Sequence, residues 1–93
     1  MKDKVKIAVF VSGGGTNLQA LIDAEKRGEI PSGEISLVLS SNSEAYAIER
    51  ALNAGIKAVI VNRKSCASRA EFEAKISSVL EKEGIEMIIL AGF

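Results

Sequence analysis

Three times along this chain a short apolar stretch is followed by a capping signal, an amphipathic stripe and a glycine. That repeated order limits the fold more than any other feature. The apolar stretches are Lys6–Val11 (KIAVFV), Ile35–Ser40 (ISLVLS), Ala58–Asn62 (AVIVN) and a fourth, Glu86–Ala91 (EMIILA). Short runs rich in branched residues, with almost no polar alternation, are how strands covered on both faces read. Between them lie stripes at helical spacing: Leu18, Leu21 and Ile22; Ala47, Ile48, Ala51 and Leu52; Phe72, Ile76, Val79 and Leu80.

The punctuation agrees. Thr16–Gln19, Ser41–Glu44 and Ser68–Glu71 match the S/T-x-x-E/Q spacing in which two side chains satisfy the free amides of a helix start. Gly28, Gly55 and Gly84 fall where the residue after a helix turns left-handed, and Pro31 blocks continuation of the first helix. The pattern predicts β-α-β-α-β-α-β, a Rossmann-like parallel α/β sheet with right-handed crossovers. The 93 residues fit one domain, with no linker, low-complexity tract or second domain in the pattern. The fourth strand is followed only by Ala91–Gly92–Phe93. An uncovered strand there invites pairing, so the expectation is an incomplete α/β domain or a fragment completed by self-association into a homo-oligomer.

Composition removes several function classes. Twelve basic residues balance twelve acidic ones, so no global field favours nucleic acid or a membrane surface. No apolar run approaches the roughly 20 residues of a membrane helix, and the opening residues do not resemble a secretory signal; a cytoplasmic address is the default. Cys66 is the single cysteine, which leaves no internal disulfide and no multi-cysteine zinc site. The chain has no histidine, so Ser/His/Asp and Cys/His nucleophile arrangements are ruled out by inventory.

The stretch VFVSGGGTNLQAL, residues 9–21, carries the chemistry. In an open α/β sheet, ligands bind outside the carboxyl ends of the strands, where strand order reverses. If the first strand lies beside that reversal, residues 12–17 form the floor of the site. Gly13, Gly14 and Gly15 allow close approach of the backbone, and the amides of Gly15, Thr16 and Asn17 would point outward at the positive end of a helix. That suits a phosphate monoester. The loop is not a Walker A sequence, because no lysine follows the glycines. Nor is it a dinucleotide fingerprint: Leu18 replaces the third glycine, and the second strand ends Ser40–Ser41–Asn42 without the acid that holds a ribose. Glu44, the nearest acid, is committed to its helix cap. The plain alternative is a tight βα turn with no ligand.

The runs KIAVFVSGGGTNLQALIDA, LVLSSNSEAYAIERALNAGI, SRAEFE and IILAGF closely resemble the N-terminal half of the phosphoribosylglycinamide (glycinamide ribonucleotide) formyltransferase family. The resemblance covers essentially the whole chain in order and spacing. It implies folate-dependent formyl transfer from 10-formyltetrahydrofolate to glycinamide ribonucleotide in purine synthesis, without a metal. It makes Gly15, Thr16 and Asn17 the binders of the substrate phosphate, in agreement with the amide reading, and assigns Arg69 and Phe93 to the folate side. The family loop more often reads G-N-G-S-N; G-G-G-T-N keeps its small residues and terminal Asn. The family's catalytic Asn and His, in its NIHPS motif, and a later Asp have no counterpart here, so the 93 residues alone are expected to be catalytically silent.

A cation in the first turn opposes the helix dipole, which suggests that Arg69 reaches for an anion such as the folate glutamate. The other reading pairs it with Glu73 or leaves it in solvent. Cys66 has no histidine partner to activate it. Glu25, Glu29, Glu34, Glu81 and Glu83 read as solvated charges, and Tyr46 and Phe72 as packing residues. Two readings from other classes stand beside the enzyme: a non-catalytic phosphate- or nucleotide-binding module, and a self-associating fragment.

Overall fold

The computed structural model describes residues 4–11, 16–41 and 46–91. The elements alternate as the punctuation predicts: β1 (Val5–Val11), α1 (Thr16–Lys26), β2 (Gly33–Ser40), α2 (Tyr46–Asn53), β3 (Lys57–Ile60), a single 3-10 turn (Arg63–Ser65), α3 (Arg69–Glu83) and β4 (Met87–Leu90). All strand pairs are parallel and the order across the sheet is β3-β2-β1-β4. The ladders run slightly past the strand ends, with the Val61 amide donating to Ser40 O at 2.9 Å and the Ala91 amide to Phe10 O at 2.8 Å.

The chain first steps from β1 through β2 to the β3 edge, then returns to place β4 on the other side of β1. Right-handed crossovers therefore put α1 and α2 on one face and α3 on the opposite one. Two core clusters record this division. Ile7, Val9 and Val11 of β1 join Leu18 and Ile22 of α1 and Ala47 and Ala51 of α2. Ala8 and Phe10 of β1 join Leu37 and Leu39 of β2 and Phe72 of α3. Alternate residues of β1 thus serve opposite faces, as strand geometry requires.

A bulge adjusts β2 to this arrangement. Ile7 is opposite Ile35, whereas Ala8 is opposite Leu37, so Ser36 is the extra residue. Ile35 and Val38, three apart, consequently share a face and a cluster. The amide of Ile35 donates to Glu25 Oε2 of α1 at 2.7 Å. Glu25 is therefore a structural acceptor at the start of the sheet, not the solvated charge the sequence suggests.

All three helices end in the same hydrogen-bonded motif. Gly28, Gly55 and Gly84 have φ of 75°, 75° and 67°. In each case the next residue's amide reaches five residues back: Glu29 to Ala24 O, Ile56 to Ala51 O and Ile85 to Leu80 O, at 2.9, 2.9 and 3.0 Å. The N-terminal signals are less uniform. Ser68 Oγ accepts from the Glu71 amide at 3.2 Å, and Glu71 Oε2 accepts from the Ala67 amide at 3.1 Å. At α1, the Gln19 side chain donates to Asp23 Oδ1 at 3.0 Å and accepts from Arg50 Nη1 at 3.2 Å. Most of the Ser41–Glu44 box lies outside the described residues, and α2 begins at Tyr46. Leu52 is exposed despite its place in the apolar stripe, and Tyr46, read as a packing residue, is exposed too; its ring carries the Arg50 guanidinium at 5.0 Å.

Candidate functional site

Strand order reverses between β1 and β4. This meets the condition on which the glycine-loop reading depended: the first strand does lie beside the reversal. At the carboxyl edge of the sheet, Val61, Ser40, Val11 and Ala91 are laced together. The Ser41 amide donates to Val11 O at 3.3 Å, alongside the Val61–Ser40 and Ala91–Phe10 bonds. Because the strands are parallel, every helix starts at this same end.

The three helix starts differ electrostatically. The first turn of α2 contains Glu49 and that of α3 contains Glu71, whereas the first turn of α1 contains no acid. Carboxylates near a helix N-terminus offset its partial positive charge, and the first-turn amides have no acceptor within the helix. The α3 start is occupied by its own Ser68 and Glu71 oxygens. The α1 start has no carboxylate of its own in the first turn, and its Gln19 faces Asp23 and Arg50. Of the three α-helices, α1 is the one whose first turn carries no acidic residue.

Leu18 and Ile22 hold that helix in place. Both are essentially inaccessible and pack against Val9 and Val11, so the first turn is anchored directly to the end of β1. Asn17, one residue before Leu18, is exposed. Gly15 and Phe93 lie outside the described residues, as does the Thr16 side chain.

Arg69 opens α3, at the same end of the sheet. Its Nε donates to Glu73 Oε1 at 3.3 Å, the pairing that was the alternative to a ligand role. The side chain is 90% exposed, and exposed pairs of this kind contribute roughly 0–1 kcal/mol. Such a pair can be exchanged for another carboxylate at little cost. Cys66 is partly buried, packs against the α3-side core and directs Sγ to Asn62 O at 3.5 Å, a packing role. Phe72 is buried as expected. Glu29 and Glu83 are paired with Arg27 and Lys57 and do not converge on the carboxyl edge as an acid–base couple. Among the described residues no group of His, Cys, Asp and Glu could hold a metal ion, and no helix is long and apolar enough to cross a membrane.

The one signal in the sequence that foresaw Gln19's partners was its i,i+4 spacing from Asp23; nothing local pointed to Arg50, 31 residues away.

A family model described as formyl transferase matches residues 5–93. Phosphoribosylglycinamide formyltransferase of Haemophilus influenzae is 40% identical over 88 residues, covering 95% of this chain and 41% of that protein. The trifunctional purine biosynthetic protein adenosine-3 of Gallus gallus is 42% identical over 91 residues, covering 98% of this chain but 9% of that protein. The crystal structure of glycinamide ribonucleotide transformylase 1 from Geobacillus kaustophilus superposes with a TM-score of 0.92 at 39% identity, over 97% of this chain and 47% of that one. The chain thus spans less than half the length of these relatives.

Proposed function

The chain belongs to the formyl transferase family, and on that premise we propose that it is the phosphate-holding part of a folate-dependent glycinamide ribonucleotide formyltransferase of purine biosynthesis, acting in the cytoplasm. Residues 1–93 form the ribonucleotide-phosphate-binding portion of the formyltransferase domain. One observation carries the proposal: the acid-free first turn of α1 stands at the end of β1, beside the reversal of strand order. A helix start offers an anion both its dipole and amides that have no acceptor within the helix, which is the common physical basis of phosphate binding there.

In this reading the amides of Gly15, Thr16 and Asn17 bind the phosphate of glycinamide ribonucleotide and fix the position of its amine. Arg69 and Phe93 serve the 10-formyltetrahydrofolate side. The exposed guanidinium of Arg69, held by a weak ion pair, fits a ligand that carries a carboxylate. In the transfer itself, the amine nitrogen bonds to the formyl carbon while the carbon–nitrogen bond to the folate breaks. The amine loses a proton and the departing nitrogen gains one. That proton traffic and the developing oxyanion need a general base and preorganised donors. The 93 residues contain no histidine, so their part is binding and orientation, and alone they are expected to be inactive.

Isothermal titration separates this from a generic anion module. Glycinamide ribonucleotide should bind more tightly than inorganic phosphate; equal, weak binding of the two would favour the module and count against the enzyme lineage.

A further inference from the structure

The two helices that share a face of the sheet, α1 and α2, are joined by a chain of three side chains. Tyr46 and Arg50 stand one turn apart on α2, and the Arg50 guanidinium lies over the Tyr46 ring at 5.0 Å. Arg50 Nη1 donates to Gln19 Oε1 at 3.2 Å, in the first turn of α1. Tyr46 is 56% exposed, so burial of its ring does not account for its place. Its contact with the cation directs the guanidinium instead. Ala47 and Ala51, fully buried in one cluster with Leu18 and Ile22, bring α2 close enough to α1 for this reach.

The amide of Gln19 is used at both ends. Its nitrogen donates to Asp23 Oδ1 at 3.0 Å, one turn towards the end of α1, and its oxygen receives Arg50. Held from both sides, the first turn of α1 is fixed against α2 as well as against β1. The same contact brings a charge. A guanidinium keeps its proton throughout the working pH range. Gln19 lies three residues after Thr16, roughly 4.5 Å along the helix axis, within the ~8 Å over which charges act at physiological salt. The first turn itself supplies no acid to offset that charge. We propose that Arg50 is a positioning residue of the substrate-phosphate site: through Gln19 it fixes the first turn of α1, and its charge adds to the affinity for a phosphate monoester. It acts through Gln19 and through its field, not by contact with the phosphate. The assignment rests on the reading of the α1 start as that site.

Calorimetric titration of glycinamide ribonucleotide at low and high salt, on the parent chain and its Arg50 variants, tests this. Arg50→Gln keeps a donor for Gln19 but removes the charge. It should lower affinity about threefold to tenfold, the scale of one partly screened charge, and make affinity fall less steeply with salt. Arg50→Lys keeps the charge and should recover most of that loss. A residue that only braced the two helices would not change the salt dependence. Circular dichroism checks that each variant is folded, and Arg50→Met reads the same quantity where Arg50→Gln does not fold. Equal affinity of the parent and the neutral variant overturns the proposal. So does a loss that Arg50→Lys shares in full, or one that leaves the salt dependence unchanged. If the parent binds glycinamide ribonucleotide no more tightly than inorganic phosphate, the reading of the α1 site fails and takes this inference with it. Tight binding by the parent that is indifferent to Arg50 sinks the inference alone.

Discussion

Arg50 of α2 donates to Gln19 of α1 across 31 residues, at 3.2 Å, and so ties the body of the second helix to the first turn that would hold the phosphate. The same guanidinium lies over the Tyr46 ring, which fixes its direction from its own helix. Gln19 in turn donates to Asp23 one turn further along α1. Gln19 thus joins Asp23 of its own helix to Arg50 of the next.

Removing the tie should cost little stability. Gln19→Ala is expected to lose about 0.5–1.5 kcal/mol, the usual net worth of a side-chain hydrogen bond. The double variant with Arg50→Ala should be less destabilised than the sum of the single variants, by at least roughly 0.5 kcal/mol, because the two residues share a contact. Urea unfolding of the four proteins measures the coupling; strict additivity would mean that the contact contributes nothing.

Thr16→Pro tests whether main-chain donors hold the anion. Proline is tolerated at the first helical position and removes an amide that has no acceptor within the helix. Affinity for glycinamide ribonucleotide should fall about tenfold or more, as expected for one hydrogen bond to a charged group, with thermal stability nearly unchanged. Thr16→Val removes the hydroxyl but keeps the amide, and separates the two contributions in the same titration.

Gly55→Ala isolates the strain of a left-handed backbone. Gly55 has φ of 75°, and a Cβ there would meet nothing within 4 Å. The loss, about 1–2 kcal/mol by chemical denaturation, would therefore come from the dihedral and not from a clash. A neutral outcome would show that the end of α2 relaxes to another conformation.

Acid should weaken the link between β3 and the end of α3. Lys57 Nζ donates to Glu83 Oε2 at 2.6 Å, and this hydrogen bond is the main reason the Glu83 carboxyl is held below its ordinary value of 4.5. A depressed carboxyl contributes stability above its unfolded value and loses it as pH falls through the folded one. The advantage of the parent chain over Glu83→Gln should be present near neutral pH and vanish as pH falls through the lowered folded value of the carboxyl. Melting temperatures across that range check the sign; an advantage that grew with acid would contradict the assignment.

Much of the fold was legible in the chain because its signals are local. Steric exclusion at positive φ selects glycine at 28, 55 and 84, and unpaired amides select Ser68 with Glu71; both act within one helical turn and need no neighbour. The apolar runs likewise locate the strands, and the family resemblance follows from residue order alone. The α1 site was legible only in part: the glycines and the helix start were readable, but their value depended on where the sheet reverses.

Tertiary structure decided what depends on distant partners. The order β3-β2-β1-β4 sets β1 beside the reversal, a matter of how crossovers pack and not of any local preference. Glu25 becomes an acceptor because the bulge at Ser36 brings the Ile35 amide to it, and Gln19 becomes one because Arg50 arrives from α2. Leu52 and Leu90 look like core residues by spacing yet stand in the open. Hydrophobicity prescribes that a residue gains from burial; only the arrangement of neighbouring elements determines whether a cover is there to bury it.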